Sequence, residues 1–194
     1  MGRAAASYQV AEALSKESTN EWEPKLMMAC SLNRLKKHTE ALSILRGLES
    51  VEAVGRCRVE AGFAYEGLGK WKEALDAYDS ALSSDAKDAA KVVVAKASLL
   101  LNSRDENVRN KKEALLLAER AMKLLPGDRP SIILVLAQAL AMNARVEQAL
   151  TRINQLDVDR LIEGPFRTDV EWAKEQLKKG KDFRLSRNPA MEMD

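Results

Sequence analysis

The chain has 194 residues, 46% apolar and 31% charged, enough for a packed soluble domain and too apolar for a disordered one. Its 31 basic and 29 acidic side chains leave a formal charge of +2, so no global field draws it to nucleic acid or to an anionic membrane. Aromatic residues make up only 5%, and a chain dominated by Ala and Leu favours helices packed closely through small side chains.

Residues 1–20 contain no long apolar run and carry Glu12, Lys16 and Glu17, a pattern unlike a secretory signal or a spanning helix. Ala6, Val10, Ala13 and Leu14 recur at helical spacing, which predicts a single helix, a half repeat or cap, ended by Ser18, Thr19 and Asn20. Residues 22–54 read as two helices. Pro24 suits the first turn of one, which carries Ala29 and Leu32; His38, Ala41, Ile44 and Leu48 mark the other, with Gly47 as a small residue at a close contact.

Residues 55–88 form the most complete unit. Gly62 and Tyr65 mark a first helix, Gly67 and Gly69 interrupt the chain, and Trp71, Ala74, Leu75, Tyr78, Ala81 and Leu82 form a stripe on a second helix. Ala41 and Ala74 stand 33 residues apart. Residues 90–127 repeat the scheme: Val92, Val93, Ala95, Ala97, Leu100 and Leu101 come first, then Ala114, Leu115, Ala118 and Ala121, closed by Pro126 and Gly127. Ala114 follows Ala74 by 40 residues, which places an inserted turn at 103–110. Residues 130–163 make the last pair, with Ile133, Ala137 and Leu140 ahead of Val146, Ala149, Leu150, Ile153 and Leu156. Thr168 and Glu171 predict a capping box opening a helix over 166–180, with Val170, Ala173 and Leu177 inward and Lys174, Lys178 and Lys179 in water. Residues 181–194 show no period and read as a flexible tail.

The order Gly62, Tyr65, Gly69, Trp71, Ala74, Tyr78, Ala81 resembles the tetratricopeptide repeat, with Ala86 where that family usually has proline. The resemblance implies an all-α fold: a right-handed superhelical solenoid of helix-turn-helix repeats with a C-terminal capping helix, its concave side lined by first helices. It turns inward Leu26, Cys30 and Asn33 in the first repeat, and Arg56, Val59, Glu60, Phe63 and Glu66 in the second. In the third it turns inward Lys91, Val94, Ser98 and Leu101, and in the fourth Leu134, Gln138 and Ala141. Family members that hold acidic chaperone tails use a clamp of lysine, arginine and asparagine. The matching places here carry Leu26, Cys30, Glu60 and Ala95, with only Lys91 kept, and Glu60 would repel a carboxylate.

No chemistry stands out beside that groove. His38 is the only histidine and takes the place of Trp71; the acidic pairs Asp76/Asp79 and Asp85/Asp88 read as solvated surface, and no phosphate-cradling glycine loop occurs. Cys30 and Cys57 read as small packed thiols of a reducing, intracellular compartment. The expectation is a non-enzymatic scaffold without cofactor or small-molecule substrate. Its apolar floor of Val59, Phe63, Val94, Leu101 and Leu134 would hold a helical or extended segment of a partner protein. A chaperone-associated module and an RNA-binding helical repeat, the latter marked by salt-sensitive affinity, are the alternatives; separately, the basic run Lys178 to Arg184 with Phe183 is a candidate contact for nucleic acid or acidic lipid, diluted by Glu171, Glu175 and Asp182.

Overall fold

The computed structural model describes residues 2–17, 22–48, 54–83, 89–127, 129–158, 161, 165–185 and 188–193. Those residues form α-helices and their connections, with no strand among them. In chain order the helices are α1 (Gly2–Glu17), α2 (Trp22–Arg34), α3 (His38–Arg46), α4 (Val54–Gly67), α5 (Trp71–Ser83), α6 (Ala89–Asn102), α7 (Lys111–Leu124), α8 (Pro130–Met142), α9 (Val146–Ile153) and α10 (Pro165–Lys178). A 3-10 turn, Pro189–Glu192, follows. The chain divides into two compact units, Met1–Lys87 and Asp88–Asp194.

Three of the connections between paired helices are one motif. The Lys37 amide donates to Leu32 O at 2.8 Å, Lys70 to Tyr65 O at 2.9 Å and Arg145 to Leu140 O at 2.9 Å, each closing the last turn of α2, α4 or α8. The residue before each donor is left-handed: Lys36 (φ 61°), Gly69 (φ 71°) and Ala144 (φ 61°). This is the Schellman stop, in which two orphan carbonyls at a helix end find partners and the chain reverses at once. Gly180 (φ 68°) ends α10 in the same way.

In the first unit, α1 packs on α2, α2 pairs with α3, α3 meets α4, α4 pairs with α5, and α2 also touches α4. Leu26, Ala29, Leu32, Ala41, Leu42, Leu45, Leu48, Cys57 and Ala64 form its buried cluster. Two glycines permit the closest approaches. A Cβ on Gly62 would overlap the Tyr78 ring, and one on Gly67 would overlap the His38 ring.

In the second unit α6 pairs with α7, α7 packs on α8, α8 pairs with α9, and α6 also touches α8; α10 lies on α9 and α8. Every residue of α8 from Ser131 to Ala141 is buried, so α8 is the central element of this unit. The segment 103–110 joins α6 to α7 as a series of turns, held by Asn110 N–H to Leu100 O (3.1 Å) and by the buried Val108. Asn110 caps α7 reciprocally: its Oδ1 accepts from Glu113 N–H and its Nδ2 donates to Glu113 Oε2, both at 3.1 Å.

Four expectations about the helices differ from the structure, and the tail departs further. In α1 the stripe Ala6, Val10, Ala13 and Leu14 is exposed; α1 meets its neighbour through the fully buried Ala11, with Tyr8 against the cluster. The small Ala11 permits the close seam, whereas Val10 and Leu14 lie off that seam. Gly67 is the last residue of α4 rather than a chain break, and its smallness makes room for His38. The final helix begins at Pro165, three residues before Thr168, because proline pre-sets the first helical turn. Lys174, expected in water, is half-buried and donates to Leu156 O at 2.7 Å.

The tail is the largest departure. Phe183, Leu185, Asn188 and Ala190 are buried, and the 3-10 turn packs on both α6 and α8. Phe183 and Leu185 alternate with exposed Asp182 and Arg184, the period of an extended segment laid on an apolar surface.

Candidate functional site: the α6/α8 face and its strap

The faces that α2/α4 and α6/α8 present are where the groove residues were expected. In the first unit Leu26 and Cys30 join the hydrophobic cluster instead of an open floor. Phe63 is 2% exposed and meets Tyr78 edge-on, ring centroids 5.9 Å apart, because Gly62 lets Tyr78 in and Phe63 covers its edge. Asn33 ties α2 to α4, donating from Nδ2 to Glu60 O (2.8 Å) and Glu60 Oε2 (3.1 Å), so this amide is a buried crosslink. Val59 and Glu60 are buried, Glu66 is half-buried and accepts from the Tyr78 hydroxyl at 2.5 Å, and Arg56 is exposed. Of the eight, only Arg56 is exposed.

The His38 ring lies against Gly67, its Nδ1 3.4 Å from Asn33 Oδ1. Burial first, then the Lys36 charge, holds its imidazole below the ordinary value. Cys57 is buried, and burial pushes its thiol up against a smaller downward pull from Arg56, the opposite of an activated cysteine. Among the described residues no three His, Cys, Asp or Glu side chains are grouped to hold a metal ion. Also among them, no helix is long and apolar enough to cross a membrane.

In the second unit Val94, Ser98, Leu101, Leu134, Gln138 and Ala141 are all buried, and Lys91 is half-buried. Where a partner's segment was expected, this face carries the chain's own C-terminal segment. Gln138 Nε2 donates to Phe183 O at 3.2 Å, and Asn102 Oδ1 accepts from Leu185 N–H at 2.8 Å, so the two amides grip the backbone on either side of Arg184. They also fix each other: Gln138 Nε2 reaches Asn102 Oδ1 at 2.6 Å and Asn102 Nδ2 reaches Gln138 Oε1 at 3.3 Å. Asn102 Nδ2 is anchored in addition to Ser98 O (2.9 Å) and Ser98 Oγ (3.2 Å), which aims its oxygen at the strap. Farther on, Asn188 Nδ2 donates to Ala95 O at 2.9 Å, while its Oδ1 accepts from Ala190 N–H at 3.1 Å. The Phe183 ring meets Trp172 of α10 edge-on at 5.9 Å and 89°. The Phe183 ring, in the basic run expected to be a candidate contact, is buried and not presented to solvent.

Sequence reasoning named Ser98 and Gln138 but missed Asn102, Trp172 and the strap. Asn102 lies one helical turn beyond Ser98, and the alternation at Phe183 and Leu185 was the readable trace of an extended, half-covered segment.

A concavity of about 430 Å³ lies among α7, α8 and α9. Leu136 and Leu140 contribute apolar surface to it, and Glu119, Arg145, Gln148, Thr151, Arg152 and Gln155 line it with polar groups. Arg145 is engaged there by Glu119 (3.7 Å) and by Gln148 Oε1.

No family model matches the chain, and no curated protein matches it.

Proposed function

We propose that the chain is a non-enzymatic protein-binding scaffold built of tetratricopeptide-type helical hairpins stacked in a solenoid. In this reading the faces of α2/α4 and α6/α8 receive a helical or extended segment of a partner protein in a reducing, intracellular compartment. The observation that carries it is the α6/α8 face, which already holds an extended polypeptide through side-chain amides directed at backbone groups. Such contacts are indifferent to most side chains, so they suit recognition of an extended polypeptide. The recurrent Schellman turns, the close approaches at Gly62 and Gly67 and the resemblance of residues 55–88 support the repeat assignment.

The test must spare the core. Aspartate at Phe63 or Val94 would bury a charge where exposure is 2% and 0%, and would unfold the chain. Arg56→Glu and Lys91→Glu alter the rim of each face instead. A displayed peptide library selected on the intact chain should enrich a discrete peptide family whose binding one of these reversals weakens at least tenfold, with unchanged circular dichroism. No enriched family, or enriched peptides indifferent to both reversals, refutes the proposal.

A further inference from the structure

The strap over α6/α8 differs from a helix packed into a core. Among its described residues those buried are Phe183, Leu185, Asn188, Pro189 and Ala190. Its links to α10 are the left-handed Gly180 and the exposed Lys181 and Asp182, and Arg184 between the gripped groups is exposed. Meanwhile α8 keeps α6, α7, α9 and α10 as packing partners of its own. A segment held by few apolar anchors opens at lower cost than the helices beneath it.

Resting on the protein-binding reading above, we propose that this strap is an exchangeable occupant of its own face. In its place the face takes an extended segment of a partner protein that presents an aromatic residue and, two residues on, a leucine. The strap supplies that specification. Phe183 fills the site beside Trp172, Leu185 is buried, and the residue between them is read only through its backbone, by Gln138 and Asn102. The pair is pre-set for the task, because Ser98 and the reciprocal amide contacts fix Asn102 before any ligand arrives. A tethered strap competes at an effective concentration on the order of millimolar, so it excludes micromolar ligands until it is displaced.

The probe is a fluorescein-labelled peptide of residues 181–193, measured by fluorescence polarisation against the full chain and against full-length Phe183→Ala, Leu185→Ala. The opened variant should bind it at least tenfold more tightly than the wild type. Adding Asn102→Ala should reverse at least tenfold of that gain, and a probe with alanine in place of its own Phe and Leu should not bind. Equal binding by wild type and opened variant overturns the proposal, as does no binding by an opened variant that keeps its circular dichroism and cooperative melt. A dimer of the wild type in light scattering that the opened variant loses assigns the face to straps exchanged between copies and overturns it too.

Should the opened variant fail to fold, hydrogen exchange on the unaltered protein decides. The Leu185 amide should exchange at least a hundredfold faster than amides inside α8 such as Ala139; exchange of both at one global rate makes the strap permanent core and ends the idea. Library peptides that bind through the Arg56 rim while the strap probe fails leave the scaffold standing without the strap exchange; failure of both removes both.

Discussion

Replacing Gly62 by alanine sets two effects of opposite sign against each other. In the interior of α4, alanine should be worth about 1 kcal/mol over glycine from helix propensity alone. Against this, the added Cβ falls 2.7 Å from Tyr78 Cζ and 2.8 Å from Cδ1, and closer still to Cε1. Carbon atoms pack at roughly 3.5–4.0 Å, so the ring or the helix must shift by about 1 Å. Tyr78 has 0% exposure, its hydroxyl is held by Glu66 and its edge by Phe63. Moving the ring endangers a hydrogen bond to a charged group, about 1.5–3 kcal/mol, and an aromatic pair, about 0.5–1.5 kcal/mol. Moving α4 away from α5 instead is overpacking at about 1–3 kcal/mol. With the propensity gain of about 1 kcal/mol subtracted, the steric term wins by up to about 2 kcal/mol if α4 shifts and by about 1–3.5 kcal/mol if the ring does, so Gly62→Ala should be less stable in urea unfolding followed by circular dichroism. Gly47→Ala is the control, since a Cβ there meets only Ile44 O at 3.4 Å. A Gly62→Ala protein as stable as the wild type, or more so, would show that α4 and α5 are not in contact at this point.

Two further outcomes follow from local geometry. His38 has a folded-state pKa below its unfolded value, so the unfolded chain binds more protons. Its contribution is intact above the ordinary imidazole value of about 6.5 and is lost as pH falls through the lowered folded value. The urea midpoint should therefore drop between pH 7.5 and 5.5, and His38→Gln should remove that component; an unchanged slope in the variant refutes the assignment. Lys36 and Ala144 are left-handed where equivalent turns use Gly69 and Gly180. A side chain in that conformation costs about 1–2 kcal/mol, partly offset by the greater freedom glycine has when unfolded. Ala144→Gly should thus stabilise by about 0.5–1 kcal/mol in the same assay, as should Lys36→Gly, and a loss at both positions would mean that the turns are not as described.

Much of the helical architecture was legible because its cause is local. Small residues recur within paired segments, and 3.6-residue periodicity puts Ala74, Tyr78 and Ala81 on one face whatever else the chain does. The absence of strands among the described residues and the burial of Val170, Ala173 and Leu177 in α10 follow from such patterns. The same local signal misjudged α1. A stripe at helical spacing says that residues share a face, yet only the neighbouring helix decides which face is covered, and here that is the face of Ala11. Likewise Gly67 looks like a chain break until the His38 ring, from another hairpin, is seen against it.

The sequence by itself determined the helix pairs, their small-residue seams and the apolar character of α6 and α8, because each follows from spacing within a few turns. Tertiary structure alone decided what lies on the α6/α8 face. Asn102 meets Leu185 across 83 residues and Asn188 meets Ala95 across 93, separations at which no periodicity links one position to another. A short apolar segment has no preferred surface until a complementary one exists, and the one that Phe183 and Leu185 lie on is made jointly by α6, α8 and α10.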